Sequence, residues 1–156
     1  MEILNLGCGN KFVTLKPGDT VINHDRIKHC SRVDLAWDLN DLPWPWPDDS
    51  FDLIVACAVL EHLKLNLVES LDECWRILRP EGRLHMKLPY WKHDAAWDDP
   101  THYWQFSLGS FDQFDPDKKR GAQYAFYTPR KWKIVKPAFL NQRGSSVITL
   151  MQVRKP

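Results

Sequence analysis

The chain has 156 residues, 44% of them hydrophobic and 26% charged, enough for one sizeable core and few for two ordinary domains. Its longest apolar run, Leu53 to Leu60, is far too short to cross a bilayer, and Met1-Glu2 lead into a strand-like segment with no basic region or cleavage-site pattern. The net charge of +1 excludes a uniformly basic nucleic-acid binder but conceals a division of sign along the chain, taken up below.

The first apolar run, Ile3 to Leu6, stops at Gly7-Cys8-Gly9. A strand that feeds glycines spaced one residue apart reads as a cofactor-binding turn, because glycine allows positive φ and lets a ligand approach the backbone. A second strand-like run, Thr20 to His24, ends in Asp25, where a carboxylate can accept both hydroxyls of a ribose. The intervening span contains Pro17 and Gly18, so a helix there is short or missing. Val33 to Asp38 reads as a short third strand, and Pro43-Trp44-Pro45-Trp46-Pro47 excludes regular structure, its tryptophans covering hydrophobic surface. Phe51 to Cys57 is nearly continuous in apolar character, as central parallel strands are.

Asn66 with Glu69 predicts a capping box, and Leu67, Leu71, Cys74, Trp75 and Leu78 recur at helical spacing toward a sheet. Pro80-Glu81-Gly82 should end that helix, and Arg83 to Leu88 alternates into a further strand. Residues 90–130 form an aromatic-rich, irregular insertion with Tyr90, Trp91, Trp97, Tyr103, Trp104 and Phe106. Lys131 to Val135 and Ser146 to Val153 then predict a C-terminal antiparallel hairpin. The expected architecture is α/β: a Rossmann-like, doubly wound, mostly parallel sheet in a single domain over residues 1–156.

All 20 acids lie at or before Asp117, whereas residues 118–156 carry ten bases and no acid. This fits either a tail that neutralises an acidic body or a surface for an anionic partner. Cys8, Cys30, Cys57 and Cys74 form no CxxC pair, and no histidine or cysteine pair stands at a recognised ligand spacing, so neither a disulfide framework nor a metal site is expected. A reducing cytoplasm is the expected compartment.

The strings LNLGCGN, INHD, DLNDLPWPWPDDSFDLIVACAVLEHL and LDECWRILRPEGRLHMKLP, in that order over residues 2–90, resemble the small class I S-adenosylmethionine-dependent methyltransferases. The resemblance implies S-adenosyl-L-methionine as cofactor. Leu6, Gly7, Cys8 and Gly9 would lie against its methionine part, Asp25 would hold the ribose, Asp38 the adenine amino group and Leu39 the ring, with Cys57 packing at the crevice mouth. The chain departs from the family at Asn5, where an acid is common, and at Lys11, where a third glycine is common. With Met1 next to the first strand-like run, the N-terminal extension that forms a lid in many relatives is not expected. A protein partner completing the site is therefore one expectation, and a non-catalytic cofactor-binding module another.

A nicotinamide oxidoreductase would carry a third glycine where Phe12 stands. An exocyclic-amine nucleic-acid methylase would carry an Asp/Asn-Pro-Pro-aromatic string where Ala56-Cys57-Ala58 stands. The expected acceptor is a small or sugar-containing molecule, with nucleic acid or a phosphorylated acceptor as the alternative that the basic segment supports. Methyl transfer needs a base only if the acceptor must lose a proton, and His62 and His102 are the catalytic candidates, with His93, Asp94 and Asp99 beside them.

Overall fold

The computed structural model describes residues 1–155. Strands β1 (Glu2–Leu6), β2 (Thr20–Asp25), β3 (Leu35–Ala36) and β4 (Phe51–Cys57) precede helix α1 (Leu67–Ile77). Strand β5 (Leu78–Pro89), the short helix α2 (Lys119–Gln123) and the pair β6 (Lys131–Leu140) and β7 (Ser146–Arg154) complete the chain. One sheet runs β3-β2-β1-β4-β5-β7-β6, parallel through β5, with β7 antiparallel to both its neighbours. This is the expected Rossmann-like order with its terminal hairpin, and order reversal at β1 opens a crevice beyond the strand ends.

Cross-strand rows account for the core. Leu4, Ile54, Leu84 and Met151 stand in register, as do Leu6, Ala56, Met86 and Thr149, and all are buried. The Asn66 capping box forms as predicted: the Asn66 side chain accepts from the Glu69 N–H at 3.0 Å and Glu69 accepts from the Asn66 N–H at 2.8 Å. Trp44 and Trp46 are buried, also as predicted. Arg76 on α1 holds their segment, donating to the Trp44 and Trp46 carbonyls at 3.0 and 2.8 Å and to Glu73.

The structure bears out the missing first helix and the irregular Pro-Trp segment, and differs from the sequence expectations at the third strand and at the end of α1. Among the described residues no helix joins β1 to β2, β2 to β3 or β3 to β4, so Leu53, Val55, His85 and Leu150 on the far sheet face are only half-buried around a groove of about 490 Å³. The third strand shrinks to Leu35–Ala36, because the Asp34 carboxylate takes the Asn23 N–H at 2.8 Å in place of a backbone acceptor. The chain leaves α1 directly into β5 at Leu78, and Pro80-Glu81-Gly82 becomes an irregularity inside that strand, with Glu81 at φ +61°.

Residues 90–130 hold only α2 and single helical turns. Phe106, Phe111 and Phe114 of this segment join the core, whereas Trp91, Trp97 and Tyr103 remain exposed. Part of the basic tail does neutralise the body: Arg154 pairs with Asp115 and Asp117, and Lys155 pairs with Asp49. No described helix is long and apolar enough to cross a membrane.

Candidate functional site

A cleft of about 620 Å³ opens where the sheet order reverses. Gly7, Gly9, Asp25, Asp38 and Leu39 line one side, and Ala58, Val59, His62, Thr101 and Tyr103 line the other. Six of the ten residues expected at the site therefore share one cavity. Leu6 and Cys8 are buried beneath its floor, Cys57 ends β4 just before Ala58, and His102 lies behind His62 with ring centroids 4.7 Å apart.

The glycine turn is held from three sides. The Gly9 N–H donates to Asp25 Oδ2 at 2.7 Å, and the Cys8 N–H donates to the His24 carbonyl at 2.8 Å. Asn5, where the family commonly has an acid, is buried and spends its amide on the Lys11 carbonyl at 2.9 Å and Asn23 Oδ1 at 3.0 Å. It fastens the end of the turn to β1 and β2. Gly7 and Gly9 both have positive φ, +62° and +48°.

His24 is a site residue that the sequence did not disclose. Its Nε2 lies 3.0 Å from the Trp37 carbonyl, which can only accept, so Nε2 carries the proton and Nδ1 accepts from the Gly7 N–H at 3.4 Å. The ring sits edge-on to Trp46 at 5.2 Å, tying the glycine turn to the Pro-Trp segment. The available signal was strand alternation, which sends His24 and Asp25 to opposite faces of β2.

Burial depresses the His24 pKa below its ordinary value. The folded state thus takes up its proton later than the unfolded chain, and this contribution to stability is full above the unfolded value and lost as pH falls toward the folded one. Urea unfolding from about pH 7 to 5 should show stability falling, and His24→Gln should flatten that slope. An unchanged slope would exclude this role.

Asp38 is held in place by its own loop, accepting from the Asn40 N–H at 3.0 Å and the Asn40 side-chain amide at 2.8 Å, with Arg26 at 3.3 Å. The Asn40 backbone bond leads the effects that keep its carboxyl below the usual range. Leu39 is buried, and its carbonyl accepts from Trp44 Nε1 at 2.9 Å, which sets the height of this edge of the cleft. Burial raises the Cys8 thiol to about 11 and pushes the Cys57 thiol up, so both are neutral thiols at pH 7.

Opposite the turn, burial lowers the His62 pKa, the neighbouring His102 adding to the effect. Burial also pushes the Glu61 carboxyl up to about 7. The basic residues Lys119 and Arg120 line a separate concavity with Gln113, Gln123, Tyr124 and Tyr127, which shares no residue with the cleft.

A family model for the methyltransferase domain matches residues 4–86. The chain is similar to a curated protein of Mycolicibacterium smegmatis described as a probable S-adenosylmethionine-dependent methyltransferase, 29% identical over 100 residues covering 56% of this chain. That match spans only 38% of the relative's length. In fold the chain is similar to the YcgJ protein from Bacillus subtilis, with a TM-score of 0.66 and 16% identity over 99% of this chain and 92% of that one. It is also similar to a chain in the complex between the Haloferax volcanii Trm112 methyltransferase activator and a methyltransferase, with a TM-score of 0.65 and 12% identity over 99% and 83%.

Proposed function

The chain belongs to the class I S-adenosylmethionine-dependent methyltransferases, and on that premise we propose that its cleft transfers the sulfonium methyl group to a small or sugar-containing acceptor. The supporting observation is the cleft itself, which carries the glycine turn, Asp25 and Asp38 on one side and His62, Thr101 and Tyr103 on the other. Gly7, Gly9 and Asp25 would hold the methionine and ribose parts, and Asp38 with Leu39 the adenine. A sulfonium methyl is already activated, so alignment of the acceptor supplies most of the rate. Tyr103 lines the cleft and offers a ring on which an acceptor can stack.

Asp25 carries the largest share of the proposed cofactor recognition. Asp25→Ala should weaken S-adenosylhomocysteine binding by about 1.5–3 kcal/mol, the scale of a hydrogen-bonded charge, with the fold intact. Asp25→Asn keeps an acceptor for the Gly9 N–H and should separate turn support from recognition of the hydroxyls. Calorimetry with unchanged affinity in both variants would remove Asp25 from the site.

A second reading, that a partner chain completes the site, is supported by the half-buried face at Leu53, Val55 and Leu150 and by the fold shared with a methyltransferase solved beside an activator. Light scattering with and without S-adenosylhomocysteine, alongside turnover of the isolated chain, separates the two readings. Turnover by the monomer on its own would exclude this second one.

A further inference from the structure

The Tyr103 and Trp104 N–H groups both donate to the Glu61 carbonyl, at 2.7 and 3.4 Å, and Trp104 Nε1 donates to the Leu63 carbonyl at 2.8 Å. These bonds pin residues 99–104 onto the helical turn Leu60–His62 and bring His102 against His62 across forty residues of sequence. One ligand atom each from Glu61, His62 and His102 then lies within 4.8 Å of the others.

Both imidazoles present the lone pair of the same nitrogen. The Thr101 hydroxyl donates to Asp99 Oδ1 at 2.7 Å, so it accepts from His62 Nδ1 at 2.8 Å and leaves His62 Nε2 unprotonated. The Ala96 carbonyl can only accept, so His102 Nδ1 donates to it at 3.2 Å and in the neutral ring His102 Nε2 is likewise a lone pair, with Asp99 Oδ2 4.0 Å from it. Ligating histidines characteristically have their second nitrogen held by a carbonyl or other polar group in this way. Glu61 is 1% exposed, and its Oε2 has no hydrogen-bond partner among the described residues. A buried carboxylate oxygen without a donor is costly unless a proton or a cation meets it.

We propose that Glu61, His62 and His102 form a binding site for a divalent first-row transition-metal ion, with Thr101 and the Ala96 carbonyl orienting the two imidazoles. Two imidazoles and one carboxylate are a donor set for zinc or iron(II) rather than for magnesium or calcium, which take oxygen ligands. Donors about 2 Å from a tetrahedral ion stand ~3.3 Å apart, so modest side-chain rotations close the set. His62 also lines the cleft, which puts the ion at its acceptor end and makes His62 a ligand in place of a free base. There a dication would favour the ionised form of a hydroxyl acceptor. The metal site stands independently of the proposed methyl transfer, whereas this last consequence rests on it.

Metal-stripped protein is titrated with Co²⁺, read by its visible absorption, and with Zn²⁺ against a chromophoric chelator. One equivalent should bind, and Glu61→Gln and His102→Ala should each weaken Zn²⁺ binding by at least about tenfold. His85→Ala, on the far sheet face, should leave it unchanged. Circular dichroism and S-adenosylhomocysteine calorimetry on each variant report the fold and the cofactor cleft separately from the metal. Zn²⁺ affinity equal in wild type, Glu61→Gln and His102→Ala would overturn the proposal, as would an equal loss in His85→Ala. Retained Zn²⁺ binding with no cofactor binding would sustain the metal site and sink the methyl-transfer reading.

Discussion

Arg76→Ala is expected to destabilise the fold by about 3–5 kcal/mol, the cost of removing one partner of a buried ion pair. The Arg76 side chain is 16% exposed and that of Glu73 10%. The guanidinium meets Glu73 Oε1 and Oε2 at 2.9 and 2.7 Å while donating to two carbonyls of the Pro-Trp segment. Glu73 Oε2 in turn accepts from the Trp44 N–H at 2.7 Å. Alanine would leave the carboxylate with only that N–H and would strip both carbonyls of their donor. Arg76→Lys keeps a charge but no fork, so it should fall between the two. Urea denaturation measures the loss, and a value under about 1 kcal/mol would mean that packing alone holds the segment.

The same pair predicts acid sensitivity. Burial opposes ionisation of Glu73, but the Arg76 fork and the Trp44 N–H outweigh it and hold the carboxyl below its ordinary value. The folded state therefore releases this proton more readily than the unfolded chain. The stabilisation is present above the unfolded value and disappears as pH falls through the folded one.

Alternation, capping and turn chemistry made the succession of strands and the main helix legible. Each strand's burial follows from its own apolar pattern, and the Asn66 capping box is local. The uncovered sheet face was legible only in part: Pro17 and Gly18 argued against a first helix, whereas the lost pairing of the third strand depends on an Asp34 contact across eleven residues. At the site, Gly7, Gly9, Asp25 and Asp38 were readable because strand ends and turns place them. His24 and Glu61 were not, since each acts through a partner that only the tertiary fold supplies. Spacing rules would not register the proposed ligand set for the same reason, because Glu61 and His62 are adjacent while His102 arrives on a separate segment pinned by backbone bonds.

Gly7→Ala is the most damaging single-methyl change expected in the cofactor turn, and its cause lies in packing before it lies in the ligand. A Cβ at Gly7 would stand 2.5 Å from Val59 Cγ2 and 2.7 Å from Val59 Cβ, on a backbone at φ +62°. Left-handed strain and overpacking together should cost about 2–5 kcal/mol. Gly9 shares the left-handed backbone at φ +48°, but a Cβ there meets nothing within 4 Å. Gly9→Ala should therefore cost only the strain, ~1–2 kcal/mol, and show its main effect on cofactor affinity if the ligand occupies that open space. The double variant Gly7→Ala/Val59→Gly, read against Val59→Gly alone, separates the two terms at Gly7. Removing the whole valine side chain, Cβ included, makes room for the new methyl, so the pair should recover the overpacking part and retain the strain. Additive losses in the double variant would mean that Val59 can already move aside, leaving the conformational requirement of the turn as the whole reason for glycine at position 7.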